Sequence, residues 1–315
     1  MVTQSEVSST LVNAKQPRRA RLTLAQQRTI TGYLFISPFI LGFLFWFLIP
    51  ALVAVYLTFH KWNLIQAPQF IGFDNIERLF SDPILPQSLK ATFVYTFLSV
   101  PLGLTFSFCL ALLVNNKMRG IGIFRTIFYL PTIVPAVANA VLWAWIFNTE
   151  FGLMNVFIRG IGGSKLPWLQ DPRLAIPAFV IISLWTAGGS MIVFLAGLQG
   201  IPDIYYEAAE IDGAGSWDKL RYITLPMMSS IIFFTLVIGF IGSFQVFVTG
   251  LLITNGGPEN STLFLVLYIY RTGIQSLNMG YAATMSWLLF FILMFLSFLV
   301  FRFIGRRVYY ENPTE

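Results

Sequence analysis

Long apolar stretches alternate with short polar ones from residue 33 onward. Six of them, Tyr33–Phe59, Thr92–Val114, Ile127–Phe147, Leu174–Leu198, Met227–Ile253 and Tyr281–Phe301, contain no Asp, Glu, Lys or Arg. Each reaches the roughly 20 residues that a helix needs to cross a bilayer. The pattern predicts an all-α membrane protein with six spans, and an even number places both ends on one side. Leu263–Tyr270 is apolar but too short to span; it follows Asn255-Gly256-Gly257-Pro258 and reads as a re-entrant or interfacial helix near the outer mouth. Helix breakers fall inside three spans: Pro131 and Pro135 in the third, Gly188-Gly189 in the fourth, Gly239 and Gly242 in the fifth. Such residues survive within a membrane where protein or a water-filled cavity satisfies the freed backbone, so they mark the interior. Gly103 and Ala111 in the second span permit close helix packing.

Composition agrees with this reading. Hydrophobic residues make up 56% and charged residues 11%, against roughly a quarter charged in a soluble domain; mean hydropathy is +0.72. Cys109 lies in an apolar run without a second cysteine, which excludes a disulfide framework and reads as a small buried hydrophobe. His60, beside Lys61 and Trp62, reads as an interfacial residue rather than a ligand. No paired carboxylates, Ser/His pair or metal cluster lies within reach of the bilayer, so no catalytic and no metal-binding residue is assigned.

Charge orients the chain. Residues 1–32 carry Lys15, Arg18, Arg19, Arg21 and Arg28 against Glu6 alone, with no cleavable apolar segment, and read as a disordered basic cytoplasmic tail. Its positive charge is read as holding the N-terminus inside rather than as a nucleic-acid contact. With the spans above, thirteen basic residues fall on the side of the termini and seven on the other. The positive-inside rule therefore predicts cytoplasmic termini. The six-span domain is assigned to 33–307 and a cytoplasmic C-terminal end to 308–315.

The polar stretch 200–226, GIPDIYYEAAEIDGAGSWDKLRYITLP, lies on that cytoplasmic side. Pro202 suits the first position of a helix and Gly213 its end. Asp203, Tyr206, Glu207 and Glu210 share one helical face, while Ile204, Ala208 and Ile211 share another. Ala208 and Ala209 keep the helix thin enough to seat in a groove. Gly213-Ala214-Gly215 breaks it, and Ser216 is placed to cap a second helix carrying Trp217, Leu220 and Ile223 to Pro226.

Glu207-Ala208-Ala209, then Gly213, Ile223 and Leu225-Pro226, reproduce the spacing of the cytoplasmic loop signature of ATP-binding-cassette (ABC) importer permeases. The chain resembles that family from Tyr33 to Arg307. FIGFDN, FRTIFYLP from Phe124, PWLQDP, LAGLQGIP from Leu195, TNGGP and MGYAAT from Met279 are similar to its carbohydrate-importing, maltose-type branch, without the large outer domain of some members. The resemblance implies a type I ABC importer permease fold in the bacterial inner membrane. It implies a second homologous permease, two ATPase subunits that bind ATP and Mg, and a periplasmic or lipid-anchored solute-binding protein. No cofactor is expected in this chain, which lacks the P-loop pattern; Gly160-Ile161-Gly162-Gly163-Ser164-Lys165 has the wrong order. By resemblance, Glu207, Ala208, Ala209, Gly213, Ile223, Leu225 and Pro226 couple to the ATPase.

A sugar needs hydroxyl and amide partners near mid-membrane. The spans offer Thr132 and Asn139, then Ser183, Thr186 and Ser190, then Ser243 and Gln245. All but Asn139 align with sugar-contacting positions of maltose-type permeases, several with a different residue type. Spans without charge favour a neutral sugar or polyol over a phosphorylated or carboxylated substrate. The alternatives are an importer of the same family for a non-sugar such as a glycerol phosphate, or an ion-gradient-driven secondary transporter. Proton coupling would need an acid or His within the membrane, and the spans have none; sodium coupling through carbonyls stays open.

Overall fold

The computed structural model describes residues 23–116 and 118–305. Residues 1–22, the basic residues Lys117, Arg306 and Arg307, and the C-terminal end 308–315 lie outside them. Helix α1 (Leu24–Phe43) starts within the stretch assigned to the tail. Thr23 and Gln26 form a reciprocal cap, each side chain accepting the other's backbone N–H at 3.3 and 3.0 Å. Residues 24–32 are thus helical, because capping chemistry and not hydropathy sets the start. A π-helical turn, Leu44–Leu48, leads into α2 (Ile49–Thr58), giving a 35-residue helical run. The chain divides into one unit ending at Val53 and another beginning at Ala54.

In the second unit a two-stranded antiparallel ribbon, β1 (His60–Lys61) and β2 (Gln69–Phe70), sets His60 opposite Phe70. His60 is buried, its Nδ1 2.7 Å from the Tyr56 carbonyl and its ring stacked on Tyr56. Amphipathic helix α3 (Asp74–Ser81) follows. The 30-residue α4 (Leu85–Val114) is the central post, packed most extensively against Pro172–Trp185, Gly188–Gln199 and Ser229–Phe244. Cys109 is exposed on it, contrary to the expected burial. An apolar run alone does not say which face of a span meets protein.

After α4 come α5 (Ile121–Tyr129), a 3₁₀ turn at Leu130–Ile133, α6 (Ala136–Ile146) and α7 (Leu153–Gly160). Next are α8 (Pro172–Trp185), α9 (Gly188–Gln199), α10 (Asp203–Ile211), α11 (Ser216–Lys219), α12 (Leu225–Met227) and α13 (Ser229–Phe244). The chain closes with α14 (Leu265–Tyr270) and α15 (Met279–Phe303). Among the described residues three helices are long and apolar enough to cross a membrane unbroken: Leu24–Thr58, Leu85–Val114 and Met279–Phe303. Three further pairs are bent, Ile121–Ile133 to Ala136–Ile146 by 99°, Pro172–Trp185 to Gly188–Gln199 by 48°, and Ser216–Met227 to Ser229–Phe244 by 64°.

The bends refine the predicted breakers. Pro131 lies in the 3₁₀ turn and Pro135 is the N-cap of α6, where a missing N–H costs least. At Gly188 a Cβ would come within 2.0 Å of the Phe128 carbonyl, so α9 begins directly against the backbone of α5. Gly239 and Gly242, by contrast, stay inside regular α13; a Cβ at Gly239 would meet Val100 at 3.2 Å. The fifth stretch breaks later, at Gln245, before a π-helical turn at Gly250–Thr254.

Short α14 packs in a core of Leu85, Leu263, Leu265, Leu267, Tyr281 and Met285, as expected of a segment too short to span. The phenols of Tyr268 and Tyr281 both donate to Asp82 Oδ2, at 2.5 and 2.6 Å, while Arg78 lies 4.1 Å above the Tyr281 ring. One buried carboxylate thereby ties the segment after α3 to α14 and to the start of α15.

Candidate functional site

The stretch 200–226 builds an outward-facing hook. Pro202 is the N-cap of α10 and Asp203 its first residue, one position later than the sequence predicts. At the far end Gly213 has φ +78, the left-handed region that glycine adopts without penalty. The Ala214 N–H reaches the Ala209 carbonyl at 2.8 Å and the Gly213 N–H reaches that of Glu210 at 3.1 Å. This pair of bonds is a Schellman closure. The second helix is capped at Gly215, whose N–H donates to Asp218 at 3.2 Å, and Ser216 is already inside it. That helix runs on through a π-helical turn, Leu220–Thr224, into α12 and Pro226.

Two bonds brace the hook. Tyr206 and Thr224 share a hydroxyl–hydroxyl contact of 3.0 Å, and Lys219 pairs with Glu210 at 2.7 Å. Tyr206 and Ile223 pack against the core of Ala111, Val114, Met191, Phe194, Leu195, Leu198, Ile201 and Met228. Glu207 and Ala208 are exposed, Ala209 is half-buried, and Ile204, Ile211 and Trp217 stand 67%, 88% and 69% exposed. Of the signature residues, then, Glu207, Ala208 and Gly213 face outward with Leu225 and Pro226, while Ile223 anchors the hook to the bundle.

A cavity of about 300 Å³ opens between α4, the α8–α9 bend and α13. Four of the seven expected pathway residues, Ser183, Thr186, Ser190 and Ser243, line it together. Their partners on α4 were not predicted: Tyr95, Ser99, Gly103 and Ser107 also line it. Their spacing of four makes one polar, small stripe of a helix, which is the signal that finds them. The Tyr95 phenol lies beside the hydroxyls of Ser99 and Ser183, and Ser107 donates across to the Ala187 carbonyl at 2.9 Å. Ser183, Thr186 and Ser243 donate back to carbonyls of their own helices at 2.6, 3.0 and 3.0 Å. Each still has lone pairs to offer a ligand.

The other three candidates lie elsewhere. Thr132 bonds the Tyr129 carbonyl at 2.7 Å and sits beside Gly189. Asn139 is interior, 7% exposed on α6 beside Trp143, with its Oδ1 unpartnered. Gln245 is exposed, against the expected interior placement, because α13 ends at Phe244 and no longer carries its side chain on the Ser243 stripe.

Residues 99–309, which contain both the hook and most of the cavity, match the family described as the binding-protein-dependent transport system inner membrane component. The chain belongs to this family. It is a multi-pass inner-membrane permease of the ABC importer type. The permease is 39% identical over 91% of its length to the probable ABC transporter permease protein YesP of Bacillus subtilis (strain 168), covering 94% of that protein. It is 35% identical to the lactose transport system permease protein LacF of Rhizobium radiobacter, over 90% of this chain and 96% of that one. Among solved structures, it is similar to a chain of a bacterial alginate ABC transporter in complex with an alginate pentasaccharide-bound periplasmic protein. That likeness has a TM-score of 0.79 at 25% identity, covering 89% of the permease and 96% of the other chain.

Proposed function

We propose that this permease forms, with a second homologous permease, the path of a neutral sugar or polyol delivered by an extracytoplasmic binding protein, driven by two ATPase subunits. The hook carries the proposal: it exposes an acidic and an apolar face, is braced internally from Tyr206 to Thr224, and is anchored on the bundle core by Tyr206 and Ile223. In this reading Glu207 is the ionic contact and Ala208 and Ala209 the thin surface that seats in the ATPase. Closure of the ATPases then moves the two hooks together, and the bent helices reorient from inward-facing to outward-facing. ATP and Mg belong to the ATPases. The spans number six, with both termini and the hook in the cytoplasm.

A neutral substrate is supported by the cavity lining, which holds hydroxyls and one phenol but no Asp, Glu, Lys, Arg or His. Carbohydrate as the class is supported by the lactose and alginate systems of the relatives. The test is purification of the tagged permease from its own cells in mild detergent, as wild type and as Gly213→Asp, with transport measured in parallel. The expected result is an ATPase and a second permease with wild type, and a loosened ATPase and lost transport in a variant that still inserts. Full transport by Gly213→Asp would refute the role of the turn. A permease that purifies alone would refute nucleotide-driven transport.

A further inference from the structure

At the end of α4 opposite the hook, a second cavity of about 480 Å³ lies between α4, the start of α8 and the loop 259–261. Its wall on α4 is Gln87, Lys90, Val94 and Leu98, which follow one another at three and four residues and so share one helix face. Its wall on α8 is Arg173, Ile176 and Pro177, and Glu259 stands on the loop that closes the top. That loop is held in place. Asn260 Nδ2 donates to Gln87 Oε1 at 3.3 Å, and Thr262 Oγ1 donates to the Gly257 carbonyl at 2.6 Å.

The lining is charged at one end and apolar at the other. The uncharged stretches begin at Thr92 and Leu174, so Lys90 and Arg173 stand just outside the hydrocarbon layer. Leu98 lies eight residues beyond Lys90, about 12 Å down the helix, and Val94 and Leu98 are 39% and 43% exposed. A soluble protein cannot follow the groove to that depth, so its occupant is an amphiphile drawn from the bilayer. Charge specifies the head of that amphiphile. Lys90, Arg173 and Glu259 are exposed, and no ion pair joins any of them to a described residue. Asp171, the acid nearest to Arg173 in sequence, accepts the Arg173 backbone N–H at 2.8 Å as the N-cap of α8. Two cations against one carboxylate leave the lining with one positive charge, which a single phosphodiester neutralises. A basic residue alone at the end of a span snorkels into bulk headgroups; these two line one groove from two different helices.

We propose that this groove binds one anionic glycerophospholipid of the phosphatidylglycerol class: its phosphate sits between Lys90 and Arg173, and one acyl chain runs down along Val94, Leu98 and Ile176. Glu259 on the rim disfavours a second negative charge. The bound lipid ties α4 to α8, two of the helices around the cavity that holds Ser183 and Ser99. This inference is independent of which solute the permease carries.

The test uses the intact transporter complex in nanodiscs of equimolar dioleoylphosphatidylglycerol and dioleoylphosphatidylethanolamine, with the lipids retained after transfer to mild detergent identified and counted by native mass spectrometry. The expected result is one tightly retained lipid per permease, phosphatidylglycerol being favoured about fivefold over the zwitterionic lipid. Lys90→Gln and Arg173→Gln should each remove that preference, whereas Glu259→Gln should strengthen it. Lys61→Gln, which removes an exposed cation outside the groove, should leave it unchanged. Equal retention of the two lipids by wild type would overturn the proposal, and this arm needs no variant to fold. A loss in Lys61→Gln as large as in Lys90→Gln would reveal bulk attraction and overturn the site. In a Cys109→Ala background, crosslinking of Val94→Cys to the second permease in the membrane would put protein in the lipid's place and overturn it as well.

Discussion

Gly213 and Asp82 illustrate two different single-residue constraints. A Cβ at Gly213 would meet nothing within 4 Å, so the constraint there is conformational only. Gly213→Ala should cost about 1 kcal/mol through the left-handed backbone alone, and should lower substrate-stimulated ATP hydrolysis of the complex without changing membrane levels. Asp82 is constrained electrostatically. Burial raises its carboxyl, but bonds from Tyr268 and Tyr281 and from the N–H groups of Ile84 and Leu85 outweigh this and hold it below its ordinary 3.8. Burial first, then the bond to Asp82 and its charge, push the Tyr268 phenol up. A carboxyl depressed by folding stabilises the fold above its ordinary value, and that stabilisation is lost as pH falls through the folded one. The gap in heat stability between wild type and Asp82→Asn should therefore stay level from neutral pH down to about pH 5 and close below about pH 4. Asp82→Ala, which strands two buried phenols, should cost about 2 kcal/mol at neutral pH. Neither constraint was equally legible. Gly213 was readable because a helix stop has a local signature, whereas Tyr268 and Tyr281 meet Asp82 from 186 and 199 residues away.

Among the elements, α9 packs against α13. At Gly197 a Cβ would come within 2.2 Å of Ile231 Cδ1 and 2.9 Å of Met228 Sδ, so α9 and the root of α13 are in close contact. Gly197→Val should cost about 2 kcal/mol by overpacking, read as a lower melting temperature of the purified complex. Tyr206→Phe removes the bond that ties α10 to Thr224, worth about 1 kcal/mol. Its expected signature is ATP hydrolysis that continues while sugar uptake per ATP falls, a split that general unfolding would not produce. The predicted spans identified these elements but drew them too straight. Mean hydropathy is blind to the 48° bend into α9 and the 64° bend into α13, and Gly188-Gly189 announces a break without its angle.

For the whole molecule, the assignment of sides is the part most directly open to measurement. In a Cys109→Ala background, Ala214→Cys should react with a membrane-impermeant maleimide only from the cytoplasmic face, and Thr149→Cys only from the outer face. Labelling of both from one face would refute the six-span arrangement. Ser99→Leu, which intrudes on the cavity between α4, α8–α9 and α13, should reduce uptake at least tenfold while leaving the ATPase bound, if that cavity is on the path.

By itself the sequence determined the membrane class, the apolar stretches and the hook, because each rests on local rules: the length of a bilayer, the cost of a charge in lipid, the conformation of a glycine at a helix end. Only the tertiary structure decided that Ser183, Thr186, Ser190 and Ser243 share one cavity with Tyr95, Ser99 and Ser107, while Thr132, Asn139 and Gln245 do not. It also decided that Cys109 faces outward and that Trp287 is left with an unpaired N–H. Those outcomes depend on which face each helix turns toward its neighbours. In a span apolar all round, that choice is set by packing partners far away in the chain and leaves no strong period in the sequence.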